Sequence, residues 1–361
     1  MILRALCLIF CAGSLFAQES VELFLYWQWQ GKAQELFPLK EGEADEALGL
    51  LPLIRKKLEA KGVSIQSWEL DAHRTEVLSW ASIHSWSDFW CWVFPKRPCL
   101  EDKIWVFWSL GPYLKDASFK RLPKDKLILY LWEPPTVEDW SYVPALQSQF
   151  GTIFTWDDDL VDNRKFFKFY YPVLAPRIAN IVPFEEKKFC VMVATRLCSK
   201  HPRELYSERE KVIRFFEALP SGVFDLYGRN WEKRKFKNWR GATPNKLETI
   251  KQYKFSICYE NMRDVKGYVT EKIFDCLAAG TVPVYWGASN IGEYVPAECF
   301  IDRRQFESET ALLEFLNSIT EQEYARYLES AEAFLRSKEA NRFTNQNLVD
   351  GFVSSVCKTH P

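Results

Sequence analysis

The densest chemistry in the sequence lies in residues 254–287, KFSICYENMRDVKGYVTEKIFDCLAAGTVPVYWG. The segment reads as strand, polar loop, helix, a stop at Gly280, and a second strand. Thr270 is a natural N-cap, because its hydroxyl can accept from an unpaired amide of the first turn. Glu271 in that turn suits the positive end of the helix dipole. Lys272 does not: a cation there opposes the dipole by roughly a few tenths of a kcal/mol. A lysine held against the dipole at the mouth of an α/β sheet points to an anionic ligand such as a phosphate, with a solvated lysine as the alternative. Residues 231–251 add seven Lys and Arg, read either as a solvated face or as a local field for a phosphate-bearing ligand. Asp157-Asp158-Asp159 is a carboxylate run of the kind that suits a hard cation.

Other chemistries lack material. The four His stand at 73, 84, 201 and 360, too few and too scattered for a His-built zinc site or a His-centred triad. Neither GxGxxG nor GxxxxGK[ST] occurs, which disfavours a dinucleotide oxidoreductase or a P-loop enzyme. GxSxG is missing too, so no serine nucleophile elbow is present. There is no CxxC. The thiols of Cys190, Cys258 and Cys276 sit in apolar runs and read as free and buried. Cys91 and Cys99 flank a Pro-containing loop and can pair in an oxidising compartment.

The elements that must position these residues alternate. VELFLYW (21–27), VSIQSWEL (63–70), IWVFW (104–108), KLILYLW (126–132) and GTIFTW (151–156) read as strands, with a helical pattern over 42–61. A Pro-punctuated stretch, 170–188, reads as a linker. The alternation then restarts: strands at 188–195, 222–228, 254–260 and 281–287, helices at 204–219 and 270–279, and two closing helical patterns at 306–318 and 321–338. Two doubly wound α/β domains with a cleft between them follow, and ligands in such sheets sit outside the C-terminal strand ends.

The chain has 361 residues, 47% hydrophobic and 26% charged, which excludes wholesale disorder. Its formal charge of −1 leaves no global basic excess for a nucleic acid. Twelve of the 15 Trp precede residue 160, so stacking platforms for sugar rings belong, if anywhere, to the N-terminal half; core packing is the plainer reading for most of them. Met1–Ala17 carries one positive charge, Arg4, then an apolar run of 13 residues. That is short against the ~17–25 that span a bilayer and reads as a signal peptide, with a short membrane anchor as the alternative.

CYEN (258–261), GYVTEKIFD (267–275) and AAGTVPVYWGA (278–288) together resemble the donor-binding signature of the alpha-1,3-fucosyltransferases, glycosyltransferase family 10. The resemblance is good over roughly 185–302 and thinner before 150. It implies a GT-B architecture: an N-terminal acceptor domain (18–175), a linker (176–187), a C-terminal GDP-fucose domain (188–338) and an extension (339–361). By resemblance Lys272 neutralises the donor pyrophosphate, Glu271 bonds the ribose, and Tyr268 lines the nucleotide site. Glu260 and Asn261 lie in the loop that approaches the donor, and Thr270 opens the phosphate-facing helix. An arginine on the first helix of the donor domain pairs with the phosphates. Arg209 fits best, with Arg203 and Arg214 as neighbours, while Arg229 in a YGR turn either helps or merely solvates. The catalytic base corresponds to Glu133 in LILYLWEPP, at the C-terminal end of a strand.

The implied reaction moves L-fucose from GDP-β-L-fucose to a hydroxyl of an acceptor glycan containing N-acetylglucosamine, with inversion to an α-1,3 linkage. The implied partners are GDP-fucose and an acceptor oligosaccharide or glycoconjugate. Cationic side chains already neutralise the pyrophosphate, so Mn²⁺ is not required. DxD motifs hold Mn²⁺ in transferases of the other main architecture, and for Asp157–Asp159 a structural or acceptor-side role outranks metal ligation. The N-terminal segment implies export or membrane association, Golgi-type in a eukaryote and cell envelope in a bacterium. A GT-B transferase for another nucleotide sugar and a non-catalytic glycan-binding protein are the rival readings.

Overall fold

The structure, a computed structural model, describes residues 22–27, 50–61, 64–68, 104–108, 123–173 and 180–358. The targeting segment 1–17, the Cys91–Cys99 pair and the first part of the expected helix over 42–61 lie outside these residues. Among the described residues no helix is long and apolar enough to cross a membrane.

The chain runs β1 (Glu22–Trp27), α1 (Leu50–Glu59), β2 (Ser64–Trp68), β3 (Ile104–Trp108), β4 (Leu127–Leu131), α2 (Pro144–Gln147), β5 (Thr152–Thr155) and β6 (Phe166–Lys168). It continues through β7 (Lys188–Val193), α3 (Tyr206–Glu217), β8 (Phe224–Tyr227), α4 (Lys246–Ile250), β9 (Tyr253–Tyr259), α5 (Glu271–Ala278), β10 (Val282–Trp286) and β11 (Ile301–Asp302). Helices α6 (Glu309–Ser318), α7 (Glu321–Leu335) and α8 (Asn345–Lys358) close it. The first sheet has the order β2-β1-β3-β4-β5-β6 and the second β11-β10-β9-β7-β8. In the second every neighbouring pair is parallel, with Val284 of β10 opposite Ile257 of β9 and Cys190 of β7 opposite Phe255 of β9.

Two compact units result. One takes β1–β4 as far as Tyr130, residues 147–152 and the chain from Phe352; the other takes Leu131–Leu146 and Ile153–Gly351. Glu133 therefore shares a unit with α3, β9 and α5.

The second sheet is buried on both faces, which is why its strands read as continuous apolar runs. Phe255, Ile257 and Tyr259 of β9 join Met192, Val212, Ile213, Phe216 and Leu226 in one core. Cys258, pointing the other way, joins Ile273, Phe274 and Leu277 of α5 and Tyr285 in the other. The cysteines 190, 258 and 276 are buried and free, as their apolar context suggested. Gly280, at φ +65, ends α5 as expected; a side chain there would drive its Cβ to 2.3 Å from Ile181 Cδ1.

Five elements escaped the sequence pattern, the four-residue α2 and the two-residue β11 among them. β6 has three residues, too few to show a period. The five-residue α4 lies within the basic stretch 231–251, capped by Asn245, whose side chain accepts from the Glu248 amide at 3.1 Å. Helix α8 occupies what reads as an extension, and its buried Leu348, Val349, Phe352 and Val353 repeat at helical spacing.

Candidate active site

In the order β11-β10-β9-β7-β8 the chain leaves β7 toward β8 on one side and builds β9, β10 and β11 on the other. The crevice between the C-terminal ends of β7 and β9 is thus the switch point where such sheets bind ligands. Glu260, Asn261 and the loop to α5 leave the sheet there.

Glu260 is fully buried. Its Oε1 accepts from the Thr270 amide at 2.9 Å and its Oε2 from the Thr270 hydroxyl at 2.7 Å. The Lys272 ammonium lies 3.1 Å from Oε2 and donates to the Thr270 hydroxyl at 2.9 Å. Thr270 does stand at the N-cap position, but its hydroxyl makes no capping bond, because it is taken up between Glu260 and Lys272. Burial works against the charge on Lys272, yet Glu260 and then Glu271 outweigh it and hold the ammonium above its ordinary value.

Glu271 is half exposed and lies 3.5 Å from both Lys272 and Lys246. Burial opposes its charge; the two ammonium groups outweigh it and hold the carboxyl down at about 2. Lys246 also reaches Asp275 at 2.7 Å, so this lysine of the basic stretch braces the first two turns of α5. Nothing in local sequence signalled it, since α4 is a single turn and a half.

Arg209, buried on α3, donates from Nη2 to the Tyr259 carbonyl at 2.6 Å and to Asn261 Oδ1 at 3.0 Å. Its guanidinium lies 5.2 Å from the ring centre of Tyr206. The competing arginines stand elsewhere. Arg203 is exposed and donates to the Asp264 carbonyl; Arg214 pairs with Glu217 at 2.8 Å and faces the Phe236 ring; Arg229 is exposed in its turn. Tyr268 is buried, 4.6 Å from Trp156 and 6.2 Å from Tyr171 between ring centres.

Glu133 follows β4 by two residues, and tyrosines hold its backbone on both sides. Tyr142 donates to the Glu133 carbonyl at 2.8 Å, and the Tyr171 hydroxyl bonds the Trp132 carbonyl. Neither tyrosine carries a sequence signal, because each contact spans many residues. Trp132 in turn stacks on Phe169 at 5.5 Å. Burial lifts the Glu133 carboxyl above its ordinary 4.5; Lys272 pulls it down and Glu271 pushes it up. Glu133, Glu271 and Lys272 therefore lie in one another's field, although about 140 residues separate the first from the other two in sequence.

The carboxylates of the acidic run are held by protein donors. Asp158 accepts from Lys168, Tyr294 and Asn290, and Asp159 pairs with Lys266. Among the described residues no group of three or more His, Cys, Asp or Glu is arranged to hold a metal ion.

Residues 185–359 match the family model described as glycosyltransferase family 10 (fucosyltransferase) C-term. An alpha-(1,3)-fucosyltransferase FucT of Helicobacter pylori is 35% identical over 72 residues, 20% of this chain and 15% of the relative. Alpha-(1,3)-fucosyltransferase 7 of Homo sapiens is 32% identical over 127 residues, 34% of this chain and 35% of the relative. The matched part thus spans about a third of these relatives' length or less. Among solved structures, an alpha1,3-fucosyltransferase superposes with a TM-score of 0.52 at 14% identity, covering 95% of this chain and 91% of that one. Anabaena HepE in complex with UDP gives 0.53 at 11% identity, covering 94% and 100%. These likenesses bear on the fold, which is the GT-B fold.

Proposed function

We propose that this chain, whose residues 185–359 belong to glycosyltransferase family 10, moves L-fucose from GDP-β-L-fucose to a hydroxyl of an acceptor glycan, with inversion to an α-1,3 linkage on an N-acetylglucosamine-containing acceptor. The observation that carries the reading is the meeting of two cations, Arg209 and Lys272, at the switch-point crevice, with the carboxylate of Glu133 in the field of Lys272.

Each group has a physical task. Charge builds on the departing diphosphate, and fixed cations away from bulk water stabilise it by several kcal/mol. Lys272 and Arg209 do this, and the open amides at the start of α5 add to it. Glu260 and Asn261 hold those cations in place, and Glu271 and Tyr268 shape the nucleotide end. Glu133 takes the proton of the acceptor hydroxyl as the new bond forms, a contribution of ~10²–10⁴-fold in rate. A carboxyl lifted by burial is a stronger base than one in water. In this assignment the acceptor belongs to residues 18–175 and the donor to 188–338. The charge on the pyrophosphate is met by side chains, so the reaction runs without Mn²⁺.

The test is release of GDP from GDP-fucose across a small panel of N-acetylglucosamine-containing acceptors, with the product linkage read by NMR. Acceptor-dependent GDP release supports the reading. Release of UDP from a UDP-sugar instead, or glycan binding with no donor turnover, overturns it.

A further inference from the structure

Asp158 is enclosed by three donors from two separate parts of the chain, Lys168 on one side and Asn290 with Tyr294 on the other. Its Oδ1 accepts from Lys168 Nζ at 2.7 Å, its Oδ2 from Asn290 Nδ2 at 3.0 Å, and the Tyr294 hydroxyl lies 2.7 Å from both oxygens. Lys168 also donates to the Trp156 carbonyl at 2.5 Å and to Tyr294 Oη at 2.8 Å, and lies over the rings of Tyr170 and Tyr294. A carboxylate satisfied by so many fixed partners is a rigid post. A divalent cation would have to displace the Lys168 ammonium to use it.

The post bears on the segment that leads into α5. The Asp158 amide donates to the Lys266 carbonyl at 3.2 Å, and the Gly267 amide donates to Asn290 Oδ1 at 3.0 Å. Gly267 adopts φ +80 and lies so close that a Cβ would stand 2.3 Å from Trp156 O, 2.6 Å from Lys168 Nζ and 2.8 Å from Asp158 Oδ1. Tyr268, next in the chain, packs on Trp156. Thr270 and Lys272 follow within five residues of Gly267.

We infer that Asp158 is a positioning residue for the nucleotide. With Lys168, Asn290 and Tyr294 it forms the platform against which residues 266–268 are pressed, and so sets where the Thr270 amide and the Lys272 ammonium stand. The inference rests on the nucleotide-sugar reading above. It applies to a group that never meets the substrate, and displacements near 1 Å at such a distance can cost ~10²-fold.

The test compares the full chain with Asp158→Ala, Asn290→Ala and, as a control, Asp159→Ala, whose ion pair with Lys266 is exposed. GDP affinity is measured by calorimetry, and KM is measured separately for GDP-fucose and acceptor. Asp158→Ala and Asn290→Ala are expected to weaken GDP binding and raise the donor KM by about tenfold, with the acceptor KM moving little and Asp159→Ala matching wild type. Asp158→Asn keeps an acceptor oxygen for Lys168 and gives a smaller loss, so the comparison survives if the alanine variant does not fold. A lowered melting temperature with unchanged GDP affinity and donor KM reduces Asp158 to a structural tie and overturns the inference. Wild-type protein that binds no GDP overturns the functional reading itself, and this inference with it.

Discussion

The ammonium of Lys272 lies 3.1 Å from a carboxylate oxygen of Glu260, a side chain with no exposure to solvent. That pair explains how a cation is tolerated in the first turn of α5. The helix dipole disfavours it, and a buried counter-charge from the end of β9 offsets the cost. The same carboxylate holds the amide and hydroxyl of Thr270, so one residue orders the whole helix mouth.

Lys272→Ala is expected to weaken GDP binding by about ten- to a hundredfold, the worth of a charge-assisted hydrogen bond. It also leaves Glu260 without its cation and lowers stability by about 1–3 kcal/mol. Calorimetry with GDP checks the first effect and thermal melting the second. Intact GDP affinity in a folded variant would count against the assigned role.

The acid limb of kcat/KM is expected above the ordinary carboxylate value of 4.5, since burial lifts Glu133 and a base acts only when ionised. Glu271 pushes in the same direction, so Glu271→Gln moves the limb to lower pH. Stability carries the opposite sign for Glu271 itself. Its carboxyl is held at about 2, below the ~4.3 of an unfolded chain, so its contribution is present above ~4.3 and fades as pH falls toward 2. Solvent screening of the half-exposed group keeps that contribution small. A pH profile of rate and of melting for Glu271→Gln against wild type checks both directions.

Gly228→Ala is expected to destabilise by more than about 3 kcal/mol, because φ is +129 and the new Cβ would lie 1.9 Å from the Ala194 carbonyl oxygen. Gly222→Ala, at φ +95 with open space around it, carries backbone strain alone, about 1–2 kcal/mol. Denaturant melts of the two variants should separate them; equal losses would mean that the backbone around Ala194 yields.

Activity is expected to persist in EDTA, because in the proposed reaction side-chain cations take the charge of the diphosphate, and the Asp158 oxygens already hold protein donors. Complete loss restored by Mn²⁺ would give Asp157–Asp159 a metal after all.

The run 258–272 was legible because it is contiguous: strand end, loop, N-cap position and first turn follow one another, and dipole arithmetic alone marks Lys272 as out of place. Arg209 could be placed on α3, yet only packing separates it from Arg203 and Arg214, which share its helix or the turn before it. The post at Asp158 was hidden for a physical reason. Its partner Tyr294 lies 136 residues away, and no local period encodes such a pairing. Lys246 looked like one charge in a basic stretch, because its use depends on where α4 packs on α5. Helix α8 had a readable signal in Leu348, Val349, Phe352 and Val353, obscured by the polar residues around it.

The most direct measurement is Glu133→Gln assayed for turnover of GDP-fucose with acceptor, alongside GDP titration of the same protein. The expected result is turnover lowered by ~10²–10⁴-fold with GDP affinity near wild type, since the amide keeps the shape and loses only the base. Turnover equal to wild type would remove Glu133 from the reaction and contradict its proposed role as the base in the field of Lys272.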